Sequence, residues 1–228
     1  GLSPAAVTYT YPEWSVEDGG RRDDAIANAI ADSAPGDVVL LEMQTINFGS
    51  GYGPAELDPV IFNLVKVGTQ SGVVVVGAAG NGNQDLDHAV YATYQGWGDS
   101  GAILVGAGTA DAAHDKLWFS SYGSRVDVQG WGEFVFSTGY GDFALLGGDD
   151  KQSYTNTFSG TSSASAMVAG VATLVQSRSV ALNGVGLAPS MVRQLLKDTG
   201  APQGAGGKIG PAPDAGAAVA ASFTHHCR

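Results

Sequence analysis

Two periods of apolar residues run along this chain, and they predict an alternation of strands and helices. VTYTY, Val7–Tyr11, has the every-second-residue pattern and β-rich composition of a strand. DAIANAIADSA, Asp24–Ala34, follows helical spacing, with Asp23 or Asp24 as the cap and Pro35-Gly36 as the stop. DVVLLEM, Asp37–Met43, is a nearly unbroken apolar run, as expected of a parallel strand covered on both faces. A loop, NFGSGYGPAE, leads to a helix over Leu57–Thr69, which Gly72 stops. Val73–Gly77 and Ala102–Gly106 are two further buried strands. Gln95–Thr157 is richer in turns and short strands. A small-residue helix then spans about Ser162 to Ser177, and another covers Ser190–Thr199, capped by Ser190 and closed by Gly200. Strand–helix alternation of this kind predicts an α/β fold, a doubly wound, mostly parallel sheet with helices on both faces. No linker divides the chain, so residues 1–228 read as a single domain, with 203–228 as its Gly/Ala-rich C-terminal segment.

Composition narrows the function. The 228 residues are 44% hydrophobic, enough for a sizeable core, and 34 are glycine, which suggests many tight turns. The formal net charge of −11 argues against nucleic acid and against anionic membranes, since no basic stripe is present. The apolar runs stop well short of the ~20 residues that cross a bilayer. The single cysteine, Cys227, excludes an internal disulfide.

Two stretches carry candidate chemistry. In FSGTSSASAMVAG, Phe158–Gly170, Ser162 stands at the mouth of a helix of small and apolar residues. A serine there commonly serves as a cap. A helix packed on every side also holds its N-terminus rigidly, and its free backbone N–H groups can stabilise an oxyanion. In VVVVGAAGNGNQ the glycines at Gly77, Gly80 and Gly82 lack the nucleotide-binding order. The loop sets Asn81 just past the C-terminal end of a parallel strand, where open α/β sheets bind ligands. Asn81 is either a turn residue or a second oxyanion donor, and the latter points to acyl transfer.

GTSSASAMVAG, Gly160–Gly170, resembles the nucleophile signature of the subtilisin-like serine proteases, and VVVVGAAGN, Val73–Asn81, resembles their oxyanion-asparagine strand. The resemblance implies Ser162 as nucleophile, with the Asn81 side-chain amide and the Ser162 N–H as oxyanion donors. It implies that Leu41, Glu42, Met43 and Gln44 pair with the substrate backbone by strand addition. These four and Ala78, Ala79 and Gly80 would line the pocket for the side chain before the cut. Two positions depart from the family pattern. Ala166 stands where proline is usual, and Glu42-Met43-Gln44 replaces a serine-leucine-glycine run.

The general base is the missing part. The family order is Asp, His, Ser, with the histidine in a His-Gly-Thr type motif. The histidines here, His88, His114, His225 and His226, lack that context and read as surface residues. GLSPAA resembles the segment that follows the family's histidine helix. The expectation is therefore that catalytic Asp and His come from a separate N-terminal chain of the same precursor, and that the sheet is incomplete without it. The expected partners are that chain and a peptide or protein substrate. The resemblance also implies secretion and allows a structural calcium, for which Asp85 and Asp87 are oxygen donors. No cofactor is required and no metal site is assigned. A catalytically silent subtilisin-like scaffold or binding fragment is the alternative. An α/β-hydrolase order, with Asp198 or Asp214 and then His225, lacks the strands that fold needs after its serine.

Overall fold

The computed structural model describes residues 2–17 and 19–222. Its centre is a four-stranded parallel sheet: β1 (Val38–Leu41), β2 (Val74–Ala78), β3 (Ile103–Gly108) and β4 (Val128–Trp131), lying side by side in that order. The register sets Val39 beside Val75, Val76 beside Ile103, and Val105 beside Val128. Alternate side chains enter opposite cores. Val73 and Val75 pack with Ile26, Ala29, Ile61 and Val65 of helices α1 (Arg22–Ala31) and α2 (Pro59–Gln70). Val74 and Val76 pack with α3 (Thr161–Asn183), α4 (Pro189–Thr199) and Ala218 of α5 (Ala215–Ala221). Coverage on both faces explains why these strands are apolar without a break. The doubly wound α/β reading holds.

The boundaries move for local reasons. Helix α1 starts at Arg22, with no side-chain cap bond. Asp23 and Asp24 lie inside its first turn, where the helix dipole favours their charge. Helix α2 is capped by Asp58, whose carboxylate accepts the Val60 N–H at 2.8 Å. In α4 the cap position is Ala188 and Pro189 takes the first helical site, so Ser190 is not the cap. Helix α3 runs six residues beyond the expected Ser177, to Asn183, and ends on the left-handed Gly184. It is long and apolar enough to cross a membrane by length alone. Its Ala164, Val168, Ala172 and Val175 are 0–2% exposed, buried against the sheet.

One expected strand is absent. Val7–Tyr11 forms no strand, and Val7 and Tyr9 are 78% and 76% exposed. A strand exists through its neighbour's hydrogen bonds, and no described segment pairs with this one. Strand β1 pairs with β2 alone and so forms one edge of the sheet. Beyond β4 the chain makes a second, antiparallel sheet from β5 (Val135–Thr138), β6 (Ala144–Leu145) and β7 (Ser153–Phe158), which leads directly into α3. Phe136 of β5, and Phe134, Tyr140 and Phe143 flanking the strands, are exposed.

A charged cluster secures the N-terminal ends of β3 and β4. Arg125 lies 3.0 Å from Glu56 and 2.9 Å from Asp127, and Tyr94 and Ser100 donate hydroxyls to Glu56. Burial alone would lower the Arg125 pKa, but Glu56 and the carboxylates around it hold the guanidinium charged. At the rim, the Arg193 hydrogen bond lowers the Asp99 carboxyl well below the usual carboxylate range. A carboxylate depressed on folding contributes stability above its unfolded pKa and loses it as pH falls toward its folded value. Asp99→Asn should therefore lower the melting temperature at pH 7. In melts taken from pH 7 down to pH 2, the gap to wild type should begin to narrow below about pH 4 and keep narrowing as the pH falls.

Candidate active site

Helix α3 begins one residue after Gly160, and that glycine is required. Its φ of 105° and ψ of 172° lie in a region that only glycine occupies comfortably. Its N–H bonds the Gly132 carbonyl at 2.9 Å, which ties the turn to the exit of β4. The first intrahelical bond of α3 is Ala164 N–H to Gly160 O, so the preceding N–H groups are free for other acceptors.

The three serines that follow have different surroundings. Ser163 and Ser165 are buried, and their hydroxyls bond backbone carbonyls: Trp131 and Gly160 for the former, Ser162 for the latter. Ser162 is half-buried, and its Oγ donates a long 3.3 Å bond to the Glu42 carbonyl just past β1. A bond that long holds the hydroxyl weakly and leaves it free to turn.

Asn81 is fixed more firmly. Its Oδ1 accepts both the Thr161 N–H at 2.8 Å and the Thr161 hydroxyl at 2.9 Å, while the Thr161 Oγ1 accepts the Gly80 N–H at 3.1 Å. With the oxygen engaged twice, the amide can present only its Nδ2 hydrogens outward. That Nδ2 is 3.2 Å, and the Ser162 nitrogen 3.7 Å, from the point a Cβ on Gly160 would occupy. The amide and the Ser162 nitrogen therefore lie close to one point beside Gly160, at the first turn of α3 that also carries the Ser162 hydroxyl. Two donors converging next to a serine can stabilise an oxyanion formed on a carbonyl that the serine attacks.

The expected pocket residues divide. Gln44 does more than line the rim. Its Oε1 accepts the Asn81 N–H at 2.8 Å, and its carbonyl accepts from Arg22, which is itself paired with Glu13. Leu41 is in the core beside α1 and α2, and Met43 packs partly against the same cluster. Ala78, Ala79 and Gly80 are buried, so backbone is what they can offer a ligand. Gly80 has φ of 92° and sits so close to Gly53 that a Cβ would lie 2.6 Å from its backbone. Glu42 is solvent-accessible, and surrounding protein shields its carboxyl enough to push the acid up from the ordinary range.

The histidines lie elsewhere. His88 is exposed, and its Nδ1 caps the turn Ala89–Tyr91 by accepting the Val90 N–H. His114 departs from the surface reading. It is half-buried, in a left-handed turn, and its Nδ1 is buried without a partner. His225, His226 and Cys227 lie outside the described residues. The Asp87 carboxylate is engaged by the Ser124 N–H and hydroxyl, and Asp85 accepts the Asp87 N–H. Among the described residues no group of three or more His, Cys, Asp and Glu is placed to hold a metal. A cavity of about 700 Å³ opens between the end of α2 and Gly184–Ser190, and neither Ser162 nor Asn81 lines it.

The sequence profile described as the Subtilase family, Peptidase_S8, matches residues 14–217. The chain belongs to the subtilase family of serine proteases. Among curated relatives, cerevisin of Saccharomyces cerevisiae is 38% identical over 128 residues, covering 56% of this chain and 17% of its own length. An extracellular protease of Xanthomonas campestris is 31% identical over 156 residues, covering 68% of this chain and 24% of its own length. This subtilase chain thus spans about a quarter or less of those two relatives. Among solved structures, a Pseudoalteromonas arctica protease superposes with a TM-score of 0.64 at 26% identity, over 90% of this chain and 60% of that one.

The Gly160 geometry can be tested without activity. Gly160→Ala should cost about 1–3 kcal/mol in urea unfolding, because an L-residue is strained at that φ and its Cβ meets the Asn81 amide. It should also shift the Asn81 side-chain amide resonances.

Proposed function

We propose that this chain is the C-terminal, nucleophile-bearing part of a subtilisin-like serine endopeptidase. The observation that carries the reading is the Asn81 amide, anchored twice through its oxygen by Thr161, with its nitrogen and the Ser162 nitrogen both near one point beside Gly160. In this reading Ser162 Oγ attacks a peptide carbonyl, and the oxyanion settles between Asn81 Nδ2 and the Ser162 N–H. The hydroxyl proton passes to a histidine, which gives it to the departing amine, and an aspartate stabilises the imidazolium. Water then hydrolyses the acyl-enzyme. The backbone of residues 41–44 and 78–80 would hold the substrate as an added strand.

Neither His88 nor His114 bonds Ser162, so in this proposal the base and its aspartate come from a separate N-terminal chain of the same precursor. The free edge of β1 and the exposed, unpaired Val7–Tyr11 support this, since an inserted strand could pair with both. Secretion is proposed on the likeness to an extracellular relative. That neither described histidine bonds Ser162 equally favours a silent scaffold, and experiment separates the two.

Intact masses of every polypeptide in the native sample, followed by fluorophosphonate labelling, provide the test. A co-purifying second chain and label on Ser162, lost in Ser162→Ala, is the expected outcome. Asn81→Ala in that complex should cost about 3–4 kcal/mol of transition-state stabilisation, a magnitude measured on a subtilisin. A single unlabelled species of 23.1 kDa would leave the silent scaffold.

A further inference from the structure

Glu42 differs from every other charged group at the site. Its main-chain oxygen lies 3.3 Å from the Ser162 Oγ, so the residue borders the nucleophile. Along β1, Val39 and Leu41 enter the α1/α2 core while Val38 and Leu40 pack on the α3 side. Continuing that alternation brings residue 42 to the α3 side, from which Ser162 approaches the strand. Among the described residues the Glu42 carboxylate makes no hydrogen bond and no ion pair. Arg22, which reaches the Gln44 carbonyl nearby, is paired with Glu13. Glu42 is exposed, with no counter-charge set against it among the described residues, and the protein surrounding its carboxyl pushes the acid up. The Ser162 hydroxyl bonds the main-chain carbonyl of residue 42, so the Glu42 carboxylate does not hold the nucleophile's proton.

We propose that Glu42 selects cationic substrates, peptides with lysine or arginine as the residue whose carbonyl Ser162 attacks. The inference rests on the protease reading above and adds the substrate class to it. A cationic side chain beside Glu42 supplies the missing counter-charge, whereas an acidic one meets repulsion at the same place. The rest of the rim does not provide this selection. Met43 is apolar, and the Gln44 amide oxygen is engaged by Asn81.

The test is binding to the native sample, the full 228-residue chain with any second chain that co-purifies with it. The probes are acetyl-Ala-Ala-X aldehydes with X as arginine, leucine or glutamate, followed through the Asn81 and Ser162 amide resonances. The arginine probe should bind at least about tenfold tighter than the leucine probe, with the glutamate probe weakest. Glu42→Gln should remove the arginine advantage and Glu42→Asp should keep most of it. Raising salt from about 0.05 to about 0.5 M should erode it in wild type, a reading that needs no variant to fold. Equal binding of the arginine and leucine probes, or an arginine preference that survives Glu42→Gln or high salt, overturns the inference and leaves the protease reading standing. If no probe shifts Asn81 or Ser162 in the native sample, any co-purifying chain included, the protease reading fails, and the inference falls with it.

Discussion

The seating of α3 on the sheet is the constraint on which the site depends. At the β4 contact a Cβ on Gly130 would lie 2.5 Å from the Ala164 carbonyl, so the helix backbone touches the strand. Only glycine on the strand and a small residue on the helix permit that approach. Ala164, Val168, Ala172 and Val175 then fill the interface at 0–2% exposure. Such close packing leaves the first turn of α3 little freedom to slide or roll. The position of Ser162 relative to the strand ends follows from this contact. It would be lost with any larger residue at 130.

With the helix fixed, a short set of hydrogen bonds completes the geometry. Thr161 joins the helix to the β2 loop from both its N–H and its hydroxyl, and Gln44 joins the β1 exit to the same loop. The loop itself is compressed between Gly80 and Gly53, where neither can carry a side chain without displacement. Three chain segments, far apart in sequence, are therefore mutually braced around one amide. Preorganisation of this kind matters because a donor already aimed at a developing oxyanion costs no reorganisation when the charge forms.

The sequence carried some of this openly and hid the rest for identifiable reasons. Val73–Gly77 and Ala102–Gly106 were legible because burial on both faces makes a strand continuously apolar, and both appear within two residues of the expected limits. Ser162 and Asn81 were legible as members of two local motifs. Strand β4 was not, since VQGW contains a glutamine and a glycine. Gln129 is buried there with its amide on the Gly210 carbonyl, and Gly130 admits α3. Val7–Tyr11 has the pattern of a strand but not the neighbour that would make it one. The links from Asn81 to Thr161 and Gln44 span 80 and 37 residues and leave no periodic trace.

Two carboxylates show how differently the ends of the sheet are built. Glu56, 2% exposed, accepts from Tyr94 and Ser100 and pairs with Arg125. Its capacity is filled by the protein, so it can act only as a structural anchor. Glu42, at the opposite end, has protein enough around it to lose some hydration but no donor supplied in exchange. The residue is exposed and its carboxylate makes no hydrogen bond among the described residues, so it stays open to a charged group from outside. The same fold thus encloses one acid completely and leaves another facing solvent beside the nucleophile. The proposed preference for cationic side chains rests on that asymmetry.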